Sequence, residues 1–256
     1  MSQYSLLLML NDAYIKLATL FLNSLHLNAD LSKIKKIIIN NIGISNANKS
    51  MLKEKYPKIE FYETNKSFGF SKMHSKEWLE SLTYKTKSLR NVIQDETNLP
   101  LIMIDSDMLV LKDFHHFIDK DKDIQVCKRE VPNKRGDLGF FMNYIASFLI
   151  IHKNSTIVKQ FLTEWIQEIE EMCRARLKPA YETPSLCKMI EKYKTKMKIG
   201  ELDEINISTD KKYVENATYI IHLKSTGKED SIDSNFENRV NNVKKFSKDK
   251  IVKYLS

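Results

Sequence analysis

Short apolar runs alternate with amphipathic stretches along the first part of the chain. The run Tyr4–Leu10 stops at Asn11 and Asp12, two residue types that commonly cap helices. Apolar residues then recur at helical spacing from 14 to 25. The alternation continues with a predicted strand over 34–40, a short helix over 49–56 and a strand over 59–63. Strands that alternate with helices predict an α/β fold with a mostly parallel central sheet flanked by helices.

A second predicted strand-and-helix unit ends in two acids. Residues 72–94 favour a helix and contain neither Gly nor Pro, and the apolar run Leu101–Ile104 then predicts a buried central strand. Successive side chains of a strand point to opposite faces, so Asp105 and Asp107 converge on one side while Ser106 points to the other. Ligands of open α/β sheets bind outside the carboxyl ends of the strands, so we expect both acids at a ligand site.

Two acids separated by one residue at the end of a buried strand require positive charge nearby. An ionised carboxylate that leaves water without a partner is costly, and a second one close to it adds repulsion. We interpret Asp105 and Asp107 as ligands of a hard divalent cation, which commonly bridges carboxylates to substrate phosphates. The alternative is that the two acids only begin a solvated turn, because the triplet D-x-D is frequent by chance.

The second half of the chain predicts one clear helix and fewer strands. Asn154 or Ser155 caps this helix, whose apolar face runs from Val158 to Cys173. Residues 178–184 interrupt the helix, and a short helix follows them. The other predicted segments are an apolar run over 108–111, a polar loop over 128–139, a strand over 146–151 and a last strand over 217–223.

Composition and charge exclude several classes of protein. The 41 basic and 33 acidic residues leave a formal charge of +8, but the lysines are scattered and accompany no nucleic-acid-binding signature, so we expect no nucleic-acid partner. Three widely spaced cysteines form neither a disulfide framework nor a metal-binding pair, which favours a reducing, cytoplasmic location. No apolar run approaches the roughly 18 residues of a membrane span.

The segment LIMIDSDMLVLKDF, residues 101–114, resembles the DxD segment of glycosyltransferases with the GT-A fold. The resemblance implies a Rossmann-like catalytic domain over 1–225, with a nucleotide-binding half over about 1–112 and an acceptor half over about 113–225. Residues 226–256 would form a basic, helical C-terminal appendage. The order of strands and helices agrees with this family, but only the DxD segment is specific to it.

The same resemblance assigns a metal site. In the family, the DxD acids hold Mn²⁺ or Mg²⁺ against the diphosphate of a nucleotide sugar, a role that would fall to Asp105 and Asp107. His222, at the end of the last predicted strand, resembles the late histidine that many members use as a third ligand. Imidazole favours Mn²⁺ over Mg²⁺. The alternative for His222 is an ordinary half-buried histidine.

Positions around the predicted strand ends resemble the family's donor-binding site. Helix capping is the simpler role for Asn11 and Asp12, and core packing is the simpler role for Tyr14. Lys87 and Arg90 share one face of a helix, where the alternative is a solvated basic face that also includes Lys85. The residues that the resemblance assigns to the donor are Asn11, Asp12, Tyr14, Glu63, Lys87, Arg90, Ser106 and Lys224.

The acceptor side departs from the family pattern. Where many members carry an Asn-Ser-Gly turn, this chain has residues 144–147, YIAS, and where many carry an Asp-Gln pair, it has Glu182 and Thr183. Glu182 is the first candidate for a catalytic carboxylate that acts as a base or contacts the sugar. Asp137, in the polar loop, is the second candidate.

The predicted function is a metal-dependent glycosyltransferase that moves a sugar from a nucleotide-diphosphate donor, UDP-sugar first, to a hydroxyl of a glycan or lipid-linked acceptor. Surface polysaccharide biosynthesis is the expected context. The basic amphipathic stretch 239–256 would contact the inner face of a membrane, or else pack on the domain.

Two alternative functions remain open at this point. One is a non-catalytic relic of the GT-A fold that binds a sugar or a partner. The other is a phosphatase of the haloacid dehalogenase type, which Leu109 and the distance of the motif from the N-terminus disfavour.

Overall fold

The computed structural model of the chain describes residues 3–71, 75–135, 140–175, 182–209, 214, 216–224, 231–233, 236–241 and 254. The strands of this part are β1 (Tyr4–Leu10), β2 (Ile34–Asn41), β3 (Ile59–Glu63), β4 (Leu101–Ile104), β5 (Met108–Val110), β6 (Ile124–Arg135), β7 (Phe140–Ile151), β8 (Ile199–Asp203), β9 (Ile207–Thr209) and β10 (Ile220–His222). The α-helices are α1 (Ile15–Asn28), α2 (Asn46–Lys55), α3 (Lys76–Val92), α4 (Thr156–Arg174) and α5 (Glu182–Tyr193).

Seven of these strands form one mixed sheet in the order β3-β2-β1-β4-β7-β6-β8. The first four are parallel to one another, β7 is antiparallel to both of its neighbours, and β8 is parallel to β6. The prediction of a mostly parallel α/β sheet flanked by helices is therefore confirmed. A second, three-stranded sheet has the order β5-β10-β9.

The structure corrects the sequence prediction for the middle of the chain. Residues 128–135, predicted to belong to a polar loop, continue strand β6, and β7 begins at Phe140 rather than near 146. The pairing of β6 with β7 shifts register between Lys128 and Asn133. The side chain of Val131 is 69% exposed. Residues 128 and 130–132 are exposed, and backbone pairing does not require apolar side chains, so this part of β6 carries a weak strand signal in its sequence.

Both faces of the main sheet are covered, which explains why its central strands are apolar at nearly every position. In β1, Leu6 and Leu8 pack with helix α1, whereas Leu7 packs with the cluster that contains α3, α4 and α5. In β4, Ile102 and Met103 divide between the two faces in the same way. The buried apolar run of β4 ends at Ile104, and the next residue is the first acid, Asp105.

A third apolar cluster lies outside α1 and includes residues from the end of the chain. Its buried members are Leu17, Leu20, Leu109, Ile221, Leu223, Val240 and Tyr254. Helix α1 is therefore packed between the main sheet and a layer that contains the small sheet. Among the described helices, none has the length and apolar character of a membrane span.

Candidate functional site

The two acids lie in the turn that joins the two sheets. β4 ends at Ile104, and the amide of Asp105 donates to the carbonyl of Ser147 at 3.2 Å. β5 then pairs antiparallel with β10, which sets Met108 opposite His222. The amide of Leu223 donates to the carbonyl of Asp107 at 2.7 Å. The small sheet thus brings the end of the last strand against the acids.

Asp105, Asp107 and His222 converge at this turn. Nε2 of His222 lies 3.3 Å from Oδ1 of Asp107 and 3.8 Å from Oδ2 of Asp105. One ligand atom from each residue fits within 4.8 Å of the others. Octahedral ligands about 2.1 Å from an ion lie roughly 3 Å apart, so the three side chains would need to move only slightly closer to share a small divalent cation. Two carboxylates with one imidazole are a donor set for a divalent metal ion.

A guanidinium from the C-terminal part of the chain reaches Asp107. Arg239 Nη1 donates to Oδ2 of Asp107 and, at 2.7 Å, to the carbonyl of Leu223. Its guanidinium also lies 5.8 Å from the centre of the Tyr14 ring. Burial alone would raise the pKa of Asp107, but His222 and Arg239 hold that pKa below its usual range. Asp107 is therefore ionised at neutral pH.

An ammonium group lies on the other side of the acids. Lys85 Nζ donates to Oδ1 of Asp105 and forms an ion pair with Oε1 of Glu182 at 2.9 Å. Burial alone would lower the pKa of Lys85, but these two carboxylates raise it above its ordinary value. Burial raises the pKa of Glu182 to about 7, against the opposing effect of Lys85. The site therefore joins a charged lysine to two carboxyl groups.

The start of helix α5 fixes the position of Glu182. Trp165 of α4 donates from Nε1 to Oγ of Ser185 at 2.9 Å, and Ser185 Oγ donates to the carbonyl of Glu182 at 2.9 Å. The amide of Ala146 in β7 donates to Thr183 at 3.4 Å. These contacts hold the first turn of α5 against α4 and the main sheet.

These groups open into a pocket of about 380 Å³. Its lining includes the charged residues Arg129 and Lys224 in addition to the residues described above. It also includes aromatic and aliphatic residues: Tyr14, Phe68, Phe70, Trp78 and Leu82. A cavity with both characters suits a ligand that combines an aromatic ring with negative charge.

Residues 46–231 match the sequence model of the nucleotide-diphospho-sugar transferase family. The chain belongs to this family. The family match separates it from the phosphatases of the haloacid dehalogenase type. No curated protein is similar enough in sequence to be matched.

Solved glycosyltransferases share the fold of this family member. Glycosyltransferase GlyE of Streptococcus pneumoniae TIGR4 has a TM-score of 0.60 at 12% identity over 98% of this chain, which spans 64% of GlyE. Galactosyltransferase LgtC, solved with donor and acceptor sugar analogs, has a TM-score of 0.56 at 12% identity over 93% of this chain and 95% of its own. The chain spans 52% of the bifunctional glycosyltransferase WbbM, at a TM-score of 0.54 and 12% identity over 99% of this chain. These similarities confirm the predicted GT-A fold.

Four of the predicted donor-binding residues line the pocket: Asn11, Tyr14, Ser106 and Lys224. Asn11 does not cap a helix through its side chain. Its Nδ2 instead donates to the carbonyls of Phe68 and Gly69, at 2.9 and 3.1 Å, and so holds the loop that carries part of the apolar wall. The role of these four pocket residues in donor binding stays a prediction.

Two other predicted donor residues lie outside the pocket wall and have structural partners. Asp12 accepts from the amide of Ser45 at 3.0 Å and from Nδ2 of Asn48 at 2.8 Å, so it supports the start of α2. Glu63 forms an ion pair with Lys49 at 2.9 Å and accepts from Asn41 at 2.6 Å.

The lysine of α3 that enters the pocket is not the one predicted. Lys87 forms a solvent-accessible ion pair with Glu170 at 2.7 Å, and neither it nor Arg90 lines the pocket. The assignment of Lys85 to a solvated face is wrong, because only 6% of this residue is exposed. Side chains two positions apart on a helix point in nearly opposite directions, so only one lysine of this pair can face the acids.

Lys85, Arg129 and Arg239 are the basic pocket residues that the sequence pattern did not assign to the site. Small polar residues near Lys85 are the one sequence feature that indicates its position. Thr83, Thr86 and Ser88 are buried on α3 together with Lys85, so this part of the helix faces the protein interior although it is polar. No comparable local signal marks Arg129 or Arg239. Asp137, the second predicted catalytic carboxylate, lies outside the described residues.

Proposed function

We propose that this chain transfers a sugar from a nucleotide-diphosphate donor to an acceptor hydroxyl, with a divalent cation held by Asp105, Asp107 and His222. The observation that carries the proposal is the convergence of these three side chains within 4.8 Å, at a pocket with an aromatic wall. Membership in the nucleotide-diphospho-sugar transferase family supports the donor class.

The residues of the pocket have distinct roles in this proposal. When bound, a divalent cation neutralises the charge that develops on the diphosphate as the bond to the sugar breaks. Lys224 provides a further positive charge for the phosphates. Lys85 holds the carboxylate of Asp105 in place and keeps Glu182 beside it. Tyr14 and Trp78 offer aromatic surface to the base of the nucleotide.

Glu182 is the carboxylate that we assign to the transferred sugar or to the attacking hydroxyl. It lines the pocket next to Lys85, and it is fixed through its own backbone by Ser185. Its position next to the metal-binding acids supports this assignment. A general base must lie within hydrogen-bonding reach of the proton that it accepts, so a bound acceptor would test it directly.

The finer features of the proposal come from chemistry and from the named similarities. Mn²⁺ is the proposed ion, because the ligand set includes an imidazole. UDP-sugar is the proposed donor and a glycan or a lipid-linked sugar the proposed acceptor, in surface polysaccharide biosynthesis. The acceptor sugar analog bound in LgtC supports a sugar acceptor. We propose a cytoplasmic location, which the three free cysteines support.

Thermal melting tests the donor and the cation together. The protein is melted with UDP-, GDP-, CMP- and dTDP-linked sugars, in Mn²⁺ or in EDTA. A ligand at one hundred times its Kd stabilises the folded state by about 2.7 kcal/mol, or roughly 5 to 10 °C for a chain of this size. We expect such a shift for one nucleotide class, in Mn²⁺ only.

Two variants make this experiment specific. Asp105→Asn combined with Asp107→Asn should abolish the shift, whereas Asp121→Asn, which changes an exposed carboxylate outside the pocket, should preserve it. A donor-induced rise in melting temperature that persists in EDTA would contradict the proposed metal site but would still support donor binding. No shift with any donor would contradict the proposed function.

A further inference from the structure

Arg239 connects the two chain segments that supply the metal ligands. The turn after β4 supplies Asp105 and Asp107, and strand β10 supplies His222 next to Leu223. One nitrogen of the guanidinium, Nη1, donates both to Oδ2 of Asp107 and to the carbonyl of Leu223. The bond to Asp107 spans 132 positions of sequence. The contact therefore fixes these two segments relative to each other.

The side chain of Arg239 is held in this position by its surroundings. Only 6% of the residue is exposed. The next residue, Val240, is buried in the third apolar cluster with Leu223 and Ile221. The ring of Tyr14 lies against the guanidinium. A buried and anchored arginine has few alternative conformations, so it can impose an orientation on the carboxylate that it binds.

The contact divides the two oxygens of Asp107 between different partners. Oδ2 accepts from Arg239, while Oδ1 is the oxygen 3.3 Å from Nε2 of His222. Oδ1 is therefore the oxygen of Asp107 that faces the histidine. A carboxylate held by one oxygen presents the other in a fixed direction.

We infer that Arg239 is a positioning residue of the metal centre, which holds Asp107 so that Oδ1 and His222 face the same cation. This inference rests on the proposed metal-dependent function. It adds to that function a residue from the segment predicted as a separate appendage. Groups that hold metal ligands in place typically contribute 10- to 100-fold to metal affinity.

A competing explanation predicts a change of opposite sign. If Arg239 only occupied Asp107 in place of a cation, its removal would free a carboxylate oxygen and take away a repelling charge, so the cation would bind more tightly. If Arg239 positions Asp107, its removal weakens binding although the repulsion is also lost. The direction of the change in Kd therefore distinguishes the two roles.

The test is a direct titration with Mn²⁺, in which electron paramagnetic resonance measures the free ion and no activity is needed. We expect Arg239→Gln to raise the Kd of Mn²⁺ by about 10- to 100-fold. Arg239→Lys should lose less affinity, because an ammonium retains a charged donor for Asp107. Arg90→Gln, which removes an arginine outside the pocket, should leave the Kd unchanged. Asp107→Asn should abolish binding.

Melting curves in EDTA show whether each variant is folded at the temperature of the titration. If Arg239→Gln does not fold, Arg239→Lys decides, and we expect its Kd to rise several-fold. An unchanged or lower Kd in the folded Arg239 variants would overturn the inference, while loss of binding in Asp107→Asn would leave the metal site intact. A wild-type chain that does not bind Mn²⁺ would overturn the metal site and the inference with it.

Discussion

Lys85 lies between two carboxylates that converge from different elements, Asp105 after β4 and Glu182 at the start of α5. All three side chains are largely removed from water. Removing one member of such a group leaves uncompensated buried charge, which costs more than the intact group contributes. The lysine is therefore important for stability as well as for the pocket.

We expect Lys85→Met to lower the free energy of unfolding by about 3 to 5 kcal/mol, because both carboxylates lose their buried partner. Methionine is similar to lysine in length, so packing changes little. The measurement is urea denaturation in EDTA, followed by circular dichroism.

Lys87→Met is the matched control, on the same helix and two residues away. Its ion pair with Glu170 is more than one-third exposed on both sides, so solvent screens it and its loss should cost less than about 1 kcal/mol. If both variants lost the same stability, the buried ion pairs of Lys85 would not have the importance assigned to them here.

The sequence indicated the acids of the site but not the cations that hold them. Asp105 and Asp107 follow a recognisable strand, so their geometry depends on local structure that a pattern can predict. Lys85 and Arg239 meet these acids across 20 and 132 positions of sequence. Whether a lysine or arginine faces solvent or a buried acid depends on tertiary packing, and lysines are usually exposed.

At the level of elements, prediction succeeded where burial dictates the sequence. β1, β3 and β4 have the predicted bounds because each is a continuous or alternating apolar run that ends at polar residues. β6 and the first part of β7 were missed for two reasons. Residues 128–132 of β6 are mostly exposed and carry no apolar pattern, whereas residues 124–127 and 142–145 are mostly buried and their strand pattern was not recognised. β8 and β9 were also missed, and they are only five and three residues long.

The loop after β2 shows how an element without a periodic signal shapes the pocket. Gly43 has a φ of +129°, a backbone angle that residues with a side chain rarely adopt. A Cβ at this position would lie 2.9 Å from the carbonyl oxygen of Phe68. Phe68 belongs to the loop that Asn11 holds, so the glycine allows this part of the pocket wall to approach the end of β2.

We expect Gly43→Ala to lower the free energy of unfolding by about 1 to 3 kcal/mol, because it combines backbone strain with a close contact to a backbone atom. The same change should weaken binding of the nucleotide donor, since the loop with Phe68 must move. Chemical denaturation measures the first effect, and the donor-induced shift in melting temperature measures the second.

Gly69→Ala provides the comparison within the same loop. A Cβ added at Gly69 meets no atom within 4 Å, so this substitution should be neutral or should stabilise the protein by up to about 1 kcal/mol. Equal losses of stability in the two variants would show that the conformation of Gly43 is not the cause.

At the scale of the molecule, the arrangement of the three apolar clusters bears on the predicted boundary at 225. Val240 and Tyr254 are buried with Leu17 and Leu20 of α1. The hydroxyl of Tyr254 also accepts a hydrogen bond from Nδ2 of Asn28 at 2.7 Å. These contacts link the end of the chain to a helix that packs on the main sheet, so we expect both to unfold together.

We expect Tyr254→Ala to lower the free energy of unfolding by about 3 to 5 kcal/mol, because it removes a ring that is only 2% exposed. Tyr254→Phe should lose about 1 kcal/mol, the net contribution of one hydrogen bond. Far-UV circular dichroism and tryptophan fluorescence, which reports Trp165 in another cluster together with Trp78, should show a single transition at the same urea concentration.

Val131→Ala, which alters a side chain that is 69% exposed, should change stability by less than about 0.5 kcal/mol. If Tyr254→Ala left the midpoint of urea unfolding unchanged, the prediction would be contradicted. Residues 226–256 would then be a separate appendage, as predicted from the sequence. A lower midpoint seen by both probes would instead make the end of the chain part of one cooperative unit. Since Arg239 belongs to the same segment, that result would also couple the stability of the third cluster to the geometry at Asp107.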